Sequence, residues 1–279
     1  MSTPEPPQQP TVPPPQGLPI VAGTIPPSPE AMPALRDGRR GWLMLGCFAL
    51  GEVTFLAASV LVLLPYALAS PRQDAEGSLP AAALVVALVV PTVLAALVAT
   101  TCATLLGRGN LVQRLRSQLS VRWRWSDVGV GLMLGVVGLV ITVPAASLWA
   151  RWVGMSEANS AVGEAFDGQR LPLGMALTLF FGVWLVAPLC EELLYRGVLW
   201  RAMEYWLWNR WVIFGLTTAL FSVAHLELLR TPLLVVISLP LGLARMLTGN
   251  LLASIVAHQA NNFLPAVGLL LLTQGLLPG

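Results

Sequence analysis

Lysine is absent from this 279-residue chain: all sixteen basic residues are arginine, set against fourteen acidic ones for a formal charge of +2. So small a surplus excludes a nucleic-acid surface built on charge. The arginine-only usage reads as the compositional bias of a GC-rich genome, not as chemistry. Charge of either sign is scarce, at 11% of residues against about 25% in soluble domains. Cysteine is scarce too. Cys47, Cys102 and Cys190 are odd in number, far apart, and lie in or beside apolar runs, which excludes a disulfide framework or a metal knuckle. There is no internal repeat, and no His-Glu-x-x-His helix to set two histidines on one face. A basic start followed by a short apolar stretch is also missing, so the reading is no cleavable signal peptide, with the first span beginning at Trp42.

What is plentiful is apolar surface: 56% of residues are hydrophobic and the mean hydropathy is +0.72. A soluble core of this size could not bury so much, so lipid must be the solvent. The expected fold is all-α, a polytopic transmembrane bundle of about seven spans. Apolar segments run approximately over 42–66, 80–106, 127–150, 172–195, 211–229, 231–247 and 250–275. Each approaches or exceeds the roughly 17–25 residues that cross a bilayer as a helix. Residues 1–40 hold twelve of the 23 prolines and read as a disordered, solvated tail. Arginine accumulates before the first segment, after the second and after the fourth, so basic excess alternates from loop to loop. By the positive-inside rule the N-terminus is cytoplasmic, in what the composition suggests is a bacterial plasma membrane. Residues 121–126 and the Trp-rich stretch 200–211 read as interfacial anchors.

An ionisable group inside a span is costly and a functional candidate by default. Those in the apolar segments are Glu52, Glu191, Glu192, Arg196, His225, Arg245 and His258, and the last two histidines are all the chain has. On a helix Glu192 and Arg196 share a face four residues apart, whereas Glu191 lies about 100° round and escapes that arginine. One carboxylate is thus neutralised and the other left for work; the bland alternative is a helix end with a snorkelling arginine. His258 and Asn262 also share a face. Their bland alternative is a polar contact gluing helices together, and for His225 it is a satisfied buried histidine.

Depth can be checked by counting. If the fourth and fifth segments turn near Trp208, Glu191 and His225 are each 17 residues from the turn and meet at one level. His258, nine residues past Gly249, would lie about 12 Å shallower unless the first hairpin projects two turns further out.

Glu191-Glu192-x-x-x-Arg196, Phe221-x-x-x-His225 and His258-x-x-x-Asn262, in this order, resemble the CPBP family, the CAAX prenyl protease type II and bacteriocin-processing proteins also called the abortive-infection family. The resemblance spans roughly 170–275, and the first three spans add nothing to it. It divides the chain into a tail (1–40), N-terminal transmembrane helices (41–169) and a catalytic core (170–279). It implies an intramembrane endopeptidase acting on a peptide or protein, in some members a lipidated one, near the cytosolic face. Glu191 with His225 would activate water, His258 and Asn262 would stabilise the oxyanion, and Glu192 with Arg196 would support them. Family members are also described as metalloproteases, and Glu191, His225 and His258 would make an open three-ligand zinc site; the glutamate–histidine reading needs no metal and is preferred. Two rivals are a proton- or cation-coupled transporter, disfavoured by the lack of repeats, and a silent scaffold binding through its tail.

Overall fold

Lipid offers the backbone no water to bond, so each span must satisfy its own amides as a helix. The computed structural model describes residues 37–69, 79–154 and 159–277, and among these every regular element is helical. In chain order they are α1 (Gly38–Ala69), α2 (Ala81–Leu105), α3 (Leu111–Leu119), α4 (Trp125–Val153), α5 (Ala161–Ala165), α6 (Leu173–Tyr205), α7 (Arg210–Ala224), α8 (Thr231–Thr248) and α9 (Leu251–Gln274). Six of them (α1, α2, α4, α6, α8 and α9) are long and apolar enough to cross a membrane, and α7 is a shorter apolar helix. The protein is an integral membrane helical bundle. The expected proline-rich tail lies, up to residue 36, outside the described residues.

Two boundaries differ from expectation. The fourth span continues past 195 to Tyr205, because its polar end remains buried against its neighbours. The fifth ends at Ala224, where His225 caps the helix and Leu226 adopts a left-handed φ of 57°. Trp200 also departs from the anchor reading. It is buried, donates from Nε1 to Glu204 at 2.8 Å, and lies under the Arg245 guanidinium. Trp123, Trp125, Trp208 and Trp211 are exposed, as an interfacial belt requires.

The arginine-rich ends of α1, α2, α4, α6, α8 and α9 are tied together. Asn250, wholly buried, bonds the backbone N–H and carbonyl of Arg122 and donates to Asp127 at 2.7 Å. Leu251 N–H reaches the Ser120 carbonyl, Tyr205 donates to Gln118, and Trp206 packs edge-on against Trp42. α3, begun by an Asn110–Gln113 capping box, lies at this end with Arg114 and Arg116. Deeper in, α4 meets α9 and α8 through Gly131, Gly135 and Gly138. A Cβ there would come within 2.4 Å of the Ala253 carbonyl, 2.6 Å of the Ala260 methyl and 3.1 Å of Asn261 Oδ1 respectively. Where lipid supplies no hydrophobic drive between helices, small residues let backbones approach and gain dispersion contact.

Candidate active site

α6 carries the site and is not a regular helix. Gly182–Val186 and Leu193–Leu199 widen to i→i+5 bonding: Ala187 N–H reaches the Gly182 carbonyl, and Trp200 N–H reaches that of Tyr195. Such widened turns expose carbonyls and concentrate at functional sites. Glu191 and Glu192 end the regular stretch, Ala187–Glu192, that lies between them.

Each widened turn is answered from another helix. In the first, the residue that would bond the Val183 carbonyl is Pro188, which has no N–H. Asn262 Nδ2 donates to that carbonyl instead, and Gln259 Nε2 to that of Leu185, both at 3.3 Å. In the second, Arg245, 1% exposed, donates from Nε to the Arg196 carbonyl at 3.0 Å.

One half of the site is sealed. Glu192 Oε1 accepts from Arg196 Nη1 and from His258 Nδ1, each at 3.0 Å, and both glutamate and arginine side chains have zero exposure. The Arg196 guanidinium rests 4.5 Å above the Phe221 ring, a cation–π contact that covers its apolar face. A carboxylate only accepts, so His258 carries its proton on Nδ1 and presents Nε2 to Glu191 Oε2, 3.7 Å away.

The other half is open. Glu191 is a quarter exposed and is not captured by Arg196, as the 100° offset predicts. His225 is exposed at the end of α7, with Nδ1 2.8 Å from the Phe221 carbonyl. A carbonyl cannot donate, so the proton is on Nδ1 and the Nε2 lone pair is free. Tyr195 and Phe221 meet edge-to-face at 5.5 Å, and Glu191 and His225 each lie one turn beyond them on antiparallel helices. The two therefore share a level, as the counting required, although no hydrogen bond or ion pair joins them among the described residues. The Phe221 ring touches both histidines, with centroids 4.8 Å from His225 and 5.6 Å from His258.

The depth mismatch of His258 resolves as anticipated. Gly197 packs against Leu251, the first residue of α9. From Gly197 to Tyr205 α6 runs on for eight residues, about 12 Å or two turns.

The six side chains singled out from the sequence thus fall in one region, with Glu191, Glu192, Arg196 and His258 in direct reach. Asn262 points to the first widened turn, and His225 joins the group through Phe221. Phe221 as the common platform, Gln259, and the task of Arg245 escaped the sequence reading; the signal for Gln259 and Asn262 was Pro188 inside an otherwise unbroken helix. Of the three zinc ligands considered, Glu191 and His258 approach to 3.7 Å, and among the described residues no group of three or more His, Cys, Asp or Glu side chains is placed together to hold a metal ion.

The fold and site define an integral membrane helical bundle in which two glutamates and one histidine meet inside the spans, with a second histidine at the exposed end of α7. Residues 173–264, which hold all these side chains, match the family model described as Type II CAAX prenyl endopeptidase Rce1-like, in agreement with the resemblance carried by the three motifs. No curated protein and no solved structure matches the chain.

Proposed function

We propose that the protein is an intramembrane endopeptidase. The observation that carries this reading is the contrast inside one dipeptide: Glu192 is spent on Arg196 and His258, while Glu191 makes no hydrogen bond among the described residues, has only His258 Nε2 at 3.7 Å, and lies at the level of an open histidine with a free Nε2.

Glu191, with His225 Nε2, takes the proton of a water that attacks the scissile carbonyl. The tetrahedral oxyanion is met by the Asn262 amide, which has a second N–H beyond the one on Val183, and by His258, whose ring Glu192 holds through Nδ1. As the intermediate collapses, the proton passes from the glutamate–histidine pair to the leaving nitrogen, giving a carboxylate and an amine. Arg196 and Glu192 hold His258 in place and touch no reacting atom. No step requires a metal.

The substrate class is a peptide or protein chain, in the CAAX manner of the matched family or as an unprenylated bacterial peptide. The positive-inside distribution sets the arginine-rich end, and with it the N-terminus, in the cytoplasm. His258 is seven residues into α9, about 10 Å from that end. Cleavage of quenched peptides with and without a prenylated cysteine, by the detergent-purified protein and its Glu191→Ala variant, tests the reading. Cleavage lost in the variant supports it and shows whether lipid is read; cleavage that survives the substitution refutes it.

A further inference from the structure

Glu52 is an acidic group in a span that this mechanism leaves unused. It is the fifteenth residue of α1, near mid-helix. Its neighbours on the same face of α1 pack against the second widened turn of α6. Phe48 lies edge-to-face with Tyr195 at 5.3 Å, and a Cβ on Gly51 would stand 3.0 Å from Leu194. These contacts bring Glu52, one turn beyond Phe48, beside Tyr195, although no hydrogen bond joins the carboxyl and the phenol among the described residues.

Both groups are in want of a partner. Glu52 Oε1 is enclosed and unbonded, and no arginine pairs with the carboxyl among the described residues. Tyr195 is buried, and its O–H makes no hydrogen bond among the described residues. A buried phenol normally finds an acceptor, and an enclosed carboxyl left alone is expensive. Each meets the other's need.

We propose that Glu52 is a positioning residue that accepts the Tyr195 O–H and thereby fixes the aromatic platform of the site. Tyr195 is held edge-on to Phe221, and on Phe221 rest Arg196, His225 and His258. α1, outside the matched segment, thus sets the spacing between Glu191 and His225. The role rests on the peptidase reading; the contact itself does not.

The experiment combines kinetics with ultraviolet Raman spectra of Glu52→Leu, Glu52→Gln, Tyr195→Phe and the Glu52→Leu/Tyr195→Phe double variant. The tyrosine doublet reports whether a phenol donates, and with three tyrosines in the chain the native-minus-Tyr195→Phe difference isolates the one in question. Glu52→Leu is expected to abolish the donor signature and lower kcat about tenfold or more with KM little changed. Glu52→Gln, which keeps an acceptor without charge, should retain most of kcat, and the double variant should be no worse than either single one. Native kcat in Glu52→Leu, equal damage from Gln and Leu, or losses that multiply would each overturn the proposal. Should Glu52→Leu fail to fold, Tyr195→Phe carries the same kinetic expectation. If the native protein cleaves no peptide, the peptidase reading fails and the positioning role with it. The Raman difference then judges the contact alone, and an unchanged doublet in Glu52→Gln, folded beside a shifted one in Glu52→Leu, would still mark Glu52 as the acceptor.

Discussion

Glu191 and Glu192 are adjacent on α6 and sit in unlike surroundings: Glu192 is wholly enclosed and bonded twice, whereas Glu191 is a quarter exposed and free of hydrogen bonds among the described residues. The histidines divide the same way, His258 enclosed against Glu192 and His225 exposed at a helix end. In the sealed half Glu192 and Arg196 pair, while Glu192 Oε2 and Arg196 Nε and Nη2 have no partner among the described residues. On the proposed reading the open half keeps proton acceptors where water and a peptide can reach them, and the sealed half holds His258 in place.

Substitutions should separate the halves. The largest effect on cleavage is expected from Glu191→Gln and His225→Ala, roughly 10²–10⁴-fold in kcat, with an unchanged thermal transition. A matching loss of stability would erase the distinction. Next comes Arg196→Leu, which strands Glu192 in a sealed site and should cost about 3–5 kcal/mol, read as a lowered unfolding temperature. Adding Glu192→Leu should restore much of that stability but not activity, because His258 then has no carboxylate to orient it. Gly131→Val, away from both halves, drives a side chain into the Ala253 carbonyl and should cost about 1–3 kcal/mol. Asn262→Ala and Gln259→Ala should each lose about 1 kcal/mol by freeing a carbonyl of the first widened turn. Only Asn262→Ala should also slow the chemistry, about 10²-fold or more. Chelator and removal of residues 1–36 should leave cleavage unchanged; loss with chelator and return with zinc would restore the metal alternative.

Much of this was legible beforehand, for identifiable reasons. A charge in lipid is too costly to be incidental, so Glu191, Glu192, His225 and His258 stood out against an apolar background. Spacing then assigned Arg196 to Glu192, and equal counts from the turn set Glu191 level with His225. The glycine strip of α4 was not seen, since small residues are unremarkable one by one and gain meaning only from the helix they face. Arg245 was noticed as an ionisable residue in a span, but its partner is a backbone carbonyl that no side-chain pattern announces. Trp200 was misjudged because a tryptophan near a span's end resembles an anchor until its indole N–H is seen on Glu204.

The widened turns of α6 have a bearing on how the chain tolerates change in length. Each amounts to an extra residue accommodated without breaking the helix, so the segment from Ala187 onward is out of phase with the one before it. Deleting a single residue from 182–186 would let the helix close to its regular pitch with both flanks in place, whereas a deletion in the regular stretch 173–181 would turn the part upstream of it against the rest by about 100°. The first would cost Asn262 and Gln259 the carbonyls they hold, and the second would take the lipid-facing surface out of register. Insertions and deletions should accordingly be tolerated in the loops and excluded from this one helix, even where most of its individual side chains can be exchanged.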